Sequence, residues 1–274
     1  MFDSYIVSNT KTSLSMPLCR INVKLKNKKN LKHFAFTLAE TLITLTIIGV
    51  IAALTVPNLI NNYKKQQVET GIKTAYSILS NAVKMTEAQY GSINELITLN
   101  EKQITTYGTK ETFADAFLPN LKLSNRCKNP YSCTLNEMGL NSRHIKNFDG
   151  SISTGQSWDL QYMRRVTLAN GMHLFIGALV ESPAIVFHVD INGNEGPRTF
   201  GKDVFSFALF RSDVQNRRYT APNNALYGGF TGYGYYEHWL NKSKEKCETH
   251  GFYCTKIIQK NGWKIPDDYP VKKW

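Results

Sequence analysis

The sequence contains no HExxH, no GxSxG, no P-loop and no dinucleotide-binding glycine fingerprint. Its six histidines (His33, His144, His173, His188, His238 and His250) stand beside no nucleophile motif, and the closeness of His173 and His188 to Glu181 or Asp190 is no more than chance placement would give. The chain is therefore read as a non-enzyme, with no cofactor and no small-molecule substrate. Zinc spacing is missing as well. Cys127 and Cys133 form C-x5-C and Cys247 and Cys254 form C-x6-C, wider than the usual C-x2-4-C, with no histidine at matching intervals. Acid is scarce at the front: up to Ala35 there is only Asp3, against Lys11, Arg20, Lys24, Lys26, Lys28, Lys29 and Lys32. The rest carries 26 basic and 20 acidic residues, so half of the formal +12 belongs to the first 35 positions. A basic balance divided in this way is a weak argument for a nucleic-acid partner.

What is present begins with an apolar run over residues 36–60. As a helix, about 25 residues rise about 37 Å, enough for a hydrocarbon core of roughly 30 Å. The lysine-rich stretch ahead of it outweighs Lys64 and Lys65 behind it, which places the N-terminus in the cytoplasm and the body outside. A cleaved signal peptide or a plain signal anchor would share these features. Neither explains Glu40, since an acid deep in an inserted helix costs on the order of 3 kcal/mol. Neither explains the continuation: Val68, Ile72, Ala75, Tyr76, Leu79, Ala82 and Val83 recur at steps of three and four and make one apolar face. One helix is expected over residues 37–90, stopped by Gly91-Ser92 and weakened at Gly71. Pro57 inside it removes the hydrogen bond to the Ala53 carbonyl.

The run Ala35, Phe36, Thr37, Leu38, Ala39, Glu40 resembles the class III signal of type IV pilins and type II secretion pseudopilins, with Ala35 where that family more often has glycine. The resemblance implies cleavage between Ala35 and Phe36 by a prepilin peptidase, with N-methylation of Phe36. It implies that Glu40 pairs with the N-terminal ammonium of a neighbouring Phe36 in a filament, and that Pro57 lies where the helix unwinds during assembly. Implied partners are other pilin or pseudopilin subunits and an inner-membrane assembly platform. The implied location is the inner membrane, single-pass with a cytoplasmic N-terminus, and then a periplasmic or extracellular filament. Residues 1–35 form the basic leader, with Met16 an alternative start that would shorten it. Residues 36–91 form the helix, with a transmembrane half (36–60) and an amphipathic half (61–90).

Residues 92–160 are expected to be a variable connection with a short helix near 112–118 ended by Pro119. Residues 161–274 are expected to hold the sheet and a disulfide-containing end. Strand patterns occupy 162–168, 172–176, 184–190 and 203–210, with Ala169-Asn170-Gly171 a tight turn. About four antiparallel strands would cover the helix, giving an α+β, pilin-like fold. The stretch VDINGNEGPRTFGKDVFSF is similar to a hairpin found in many pilin-like proteins. Asp190, Asn192 and Asn194 alternate as calcium ligands would, but Glu195 stands where an EF-hand has glycine and Gly201 where it has glutamate; an Asx-stabilised turn is the preferred reading. Four body cysteines in an exported chain suggest two disulfides among three connectivities, with the local pairs Cys127–Cys133 and Cys247–Cys254 preferred; free thiols are the alternative, and Cys19 falls in the leader. Arg217, Arg218 and Lys242 interleave with aromatics, a pattern that serves nucleic-acid stacking less well than a surface loop packed on the sheet. The expected function is a structural subunit of a type IV pilus or type II secretion pseudopilus. It would be a minor one, because residues 92–274 make a large body. The alternative is a minor pilin that binds DNA or a surface.

Overall fold

The computed structural model describes residues 37–92, 113–142, 144–153, 160, 163–178, 184–210, 229–234, 240–271 and 274. The chain divides into two compact units, Met1–Ala52 and Ala53–Trp274. The described part of the first is almost wholly helical. The second is an α+β body. The helix α1, Leu38–Tyr90, passes through Pro57 without a break. It stops where the sequence places the stop: Gly91 has φ 88°, and its amide donates to the Glu87 carbonyl at 2.9 Å. That left-handed cap is the geometry a glycine adopts without a Cβ clash.

Beyond α1 come a short helix α2, Phe113–Phe117, and a 3-10 turn, Leu118–Asn120, with Pro119 in it. Then follow β1 (Arg164–Thr167), β2 (His173–Ala178), β3 (Ala184–Asp190), β4 (Val204–Phe210) and β5 (Gly229–Gly232). Two helices close the chain, α3 (Leu240–His250) and α4 (Cys254–Lys260). The five strands form one antiparallel meander in the order β1-β2-β3-β4-β5. The sheet therefore has one strand more than the four expected. The 217–242 stretch, expected to be surface loop, supplies it: Gly229–Gly232 pairs with β4 in the register Phe207↔Gly232 to Phe210↔Gly229. Glycine at both ends of a four-residue strand hides it from any propensity argument. At Gly232 the reason for glycine is tertiary: a Cβ there would lie 2.9 Å from the Thr255 carbonyl oxygen.

The sheet is covered on both faces, which explains why β3 (AIVFHVD) and β4 (VFSFALF) are nearly continuously apolar rather than alternating. On one face Leu174, Ile176, Phe187, Val189, Phe205, Phe207 and Leu209 meet Ile72, Ala75, Leu79, Ala82 and Val83 of α1. Gly71 makes room on that helix face, since a Cβ there would stand 3.1 Å from Ile191 Cδ1. On the other face Phe175, Val186, Val204, Ala208 and Phe210 meet Cys127, Cys133, Met138, Ile145 and Phe200. The irregular connection is thus a second covering layer. Its backbone is tied in by bridges such as Leu123↔Leu168 and Lys146↔Thr199.

Candidate functional site: the start of the apolar helix and the β3–β4 connection

In α1 every buried residue lies at or beyond Glu69: Glu69, Ile72, Ala75, Leu79, Ala82, Val83 and Thr86. Before it, the large apolar side chains from Leu38 to Ile60 are exposed, with Leu38 at 79% and Leu54 and Leu59 at 70%. The helix is long and apolar enough to cross a membrane. Its polar side chains are arranged for such a setting. The hydroxyls of Thr41, Thr44 and Thr46 donate back to the carbonyls of Leu38, Thr41 and Leu42 at 2.7–2.9 Å. Each hydroxyl hydrogen is thus satisfied within the helix, as a lipid environment demands.

The helix start is a capping box. The Thr37 amide donates to Glu40 Oε2 at 2.8 Å, and the Thr37 hydroxyl donates to the same oxygen at 3.0 Å. The Glu40 amide donates to Thr37 Oγ1 at 3.2 Å. The box thereby satisfies two backbone donors, the Thr37 and Glu40 amides, that the helix start would otherwise leave open. Thr37 was not singled out by the cleavage-signal resemblance, although the T-x-x-E spacing ahead of an apolar run announces it. Ala35 and Phe36 lie outside the described residues.

The amphipathic part of α1 is clamped by the end of the chain. Glu69, 7% exposed, accepts from Lys264 Nζ at 2.7 Å and from the Ile265 amide at 3.0 Å. Tyr76 packs against Trp263 and Phe230 with ring centroids 4.6 and 5.4 Å apart. A buried glutamate on an apolar helix face had no role in the sequence pattern. It serves here to satisfy a loop amide and a lysine.

The β3–β4 connection is built on two buried carboxylates. Asp203 accepts from the amides of Arg198, at 2.9 Å, and Thr199. Asp190 accepts from the Gly193 amide at 3.1 Å. Arg198, with φ 53°, brings its Nε 3.2 Å from Asp190 Oδ2, off the hydrogen-bond line. Burial, with Asp203 close by, pushes the Asp190 carboxyl up to about 8 against the pull of Arg198. Burial raises Asp203 as well, against the amides that lower it.

Two of the three calcium candidates are engaged by other side chains. Asp190 faces Arg198, and Asn194 Oδ1 lies 2.8 Å from His173 Nε2. Among the described residues no group of three His, Cys, Asp or Glu side chains is placed to hold a metal. His173 also meets Thr167 Oγ1 at 3.0 Å through Nδ1, and burial holds its ring below the usual histidine range. His188 Nδ1 lies 2.8 Å from Ser206 Oγ. Both histidines are thus engaged inside the body. Glu181, Arg217 and Arg218 lie outside the described residues, and Lys242 sits exposed on α3.

Both local cysteine pairs are bridged, Cys127–Cys133 with Cα atoms 5.3 Å apart and Cys247–Cys254 at 4.8 Å. The second joins α3 to α4 under almost complete burial, with Cys247 1% and Cys254 0% exposed. Replacing both by serine is expected to cost about 2–3 kcal/mol, the loop-closure value for so short a loop. A urea midpoint unchanged from wild type would refute that contribution.

These features define an α+β protein with one candidate membrane-spanning helix among the described residues. The chain belongs to the family of unknown function DUF6613, whose model matches residues 58–273. No curated protein and no solved structure matches it.

Proposed function

We propose that the chain is a structural subunit, of the minor kind, of a type IV pilus or type II secretion pseudopilus, with a pilin-like fold. The observation that carries this reading is the division of α1. One continuous helix has an exposed apolar stretch from Leu38 to Ile60 and a later face, from Glu69 onward, buried under a sheet. A helix built this way serves first as an anchor and then, among its neighbours, as the core of a bundle. The capped Glu40 at its start supplies the one carboxylate in the apolar run. On this reading a prepilin peptidase cuts before Phe36 and methylates it. An inner-membrane platform then extracts the subunit, leaving the body on the filament surface. Before assembly the chain sits in the inner membrane with its N-terminus in the cytoplasm.

Mass spectrometry of the mature protein tests this directly. The expected N-terminal peptide begins with methylated Phe36. An intact leader, or a cut after Ala53, would refute the reading.

A further inference from the structure

The turn of α1 that follows the apolar run is joined to the far end of the sequence. Asn61, the first residue after Ile60, accepts from the Trp274 amide through Oδ1 at 2.7 Å. Trp274 is half-buried, stacked on Tyr269 with centroids 5.8 Å apart and planes at 24°. On the same turn Tyr63 is 60% exposed, Lys64 is exposed, and Lys65 lies 3.7 Å from Asp267. The neighbouring acids are engaged: Asp268 with Lys244, and Glu69 with Lys264.

We propose that residues 61–65 of α1, with Trp274 seated on the buried Tyr269, form a surface that seats in the headgroup layer of an anionic phospholipid bilayer. The proposal rests on the reading of α1 as a membrane span. From Ile60 to Lys64 the helix rises about 6 Å, which is about the depth of one headgroup layer. Tyrosine and tryptophan favour that layer because each has an apolar ring and a polar edge. Lysines at that level meet lipid phosphates of opposite charge. The Asn61–Trp274 bond holds the tryptophan at the level where the apolar side chains end. The same bond couples bilayer contact to the seating of the segment that clamps Glu69.

The test uses the full chain in liposomes of mixed anionic and zwitterionic phospholipid, with bromine carried either near the headgroup end or at the tail end of the acyl chains. The chain has four tryptophans, Trp158, Trp239, Trp263 and Trp274. Headgroup-end bromine is expected to quench their fluorescence more than tail-end bromine does. Trp274→Phe, which keeps a ring in place, is expected to abolish most of that quenching, and Lys64→Glu to reduce it only where the lipid is anionic. If the chain is stripped from the liposomes by alkaline carbonate, the spanning reading fails and the lipid contact fails with it. If the chain stays in the bilayer while Trp274→Phe leaves the quenching unchanged, the lipid contact alone fails.

Discussion

On the proposed function, replacing Glu40 with alanine is expected to leave the chain in the membrane and remove it from filaments. The two effects have opposite signs for one physical reason. In a bilayer a carboxylate near the start of the apolar run is a cost, on the order of 3 kcal/mol when deep, so its removal eases insertion. On the proposed function, the same carboxylate in a filament would partner the ammonium of a neighbouring Phe36, and a buried ion left alone costs about 3–5 kcal/mol. Within the single chain the Glu40 carboxylate is held by the capping box, where two donors on Thr37 bind Oε2. Losing the box itself costs about 1 kcal/mol, too little to unfold a helix of this length. The measurement is the ratio of sheared filament protein to membrane protein for wild type and Glu40→Ala. A filament fraction equal to wild type would remove the pairing role.

The stability that Asp190 contributes to the body is expected to fall as pH rises from about 4 to about 8, and Asp190→Asn is expected to remove that contribution. In the unfolded chain Asp190 titrates near the ordinary value of 3.8, whereas folded it titrates at about 8. Between these values the folded chain keeps a proton that the unfolded chain has released. Stability from this group is therefore full below the unfolded value and is lost progressively up to the folded one. The effect is on the order of 5 kcal/mol for a shift of this size. Asp203, Arg198 and Lys202 face the same loop. Asparagine keeps the acceptor for the Gly193 amide and carries no proton to lose. The quantity to measure is the difference in urea midpoint between wild type and Asp190→Asn across this range, in detergent. A difference independent of pH would mean that Asp190 is ionised throughout, paired with Arg198.

The elements of this protein were legible in unequal measure. The 3.6-residue period, the Gly91 stop and the lengths of β3 and β4 could be taken from the sequence, because helix faces and buried strands are patterns of neighbouring residues. β5 could not, since Gly229–Gly232 becomes a strand only because β4 offers it an edge and α4 needs it close. α3 and α4 were missed for a related reason. Their sequence, LNKSKEKCETH and then CTKIIQK, has a weak apolar face, and the helices are held by the disulfide between them and by the contact of α4 with β4 and β5. At the β3–β4 connection Asp190 drew attention as a metal ligand. Its tertiary setting gives it an arginine instead, eight residues on and in a left-handed conformation that no local pattern announces.

The sequence by itself determined the helix, its apolar half and its acidic start at Glu40, because each depends on residues within a few turns of one another; it favoured the local cysteine pairs, which the structure then bridged. Only the tertiary structure decided what covers the sheet, which loop amides Asp203 and Glu69 satisfy, and that Trp274 is tied to Asn61 where the apolar run ends. Those are contacts between residues far apart in the chain. They are set by which surfaces must leave water together, and no local period records that.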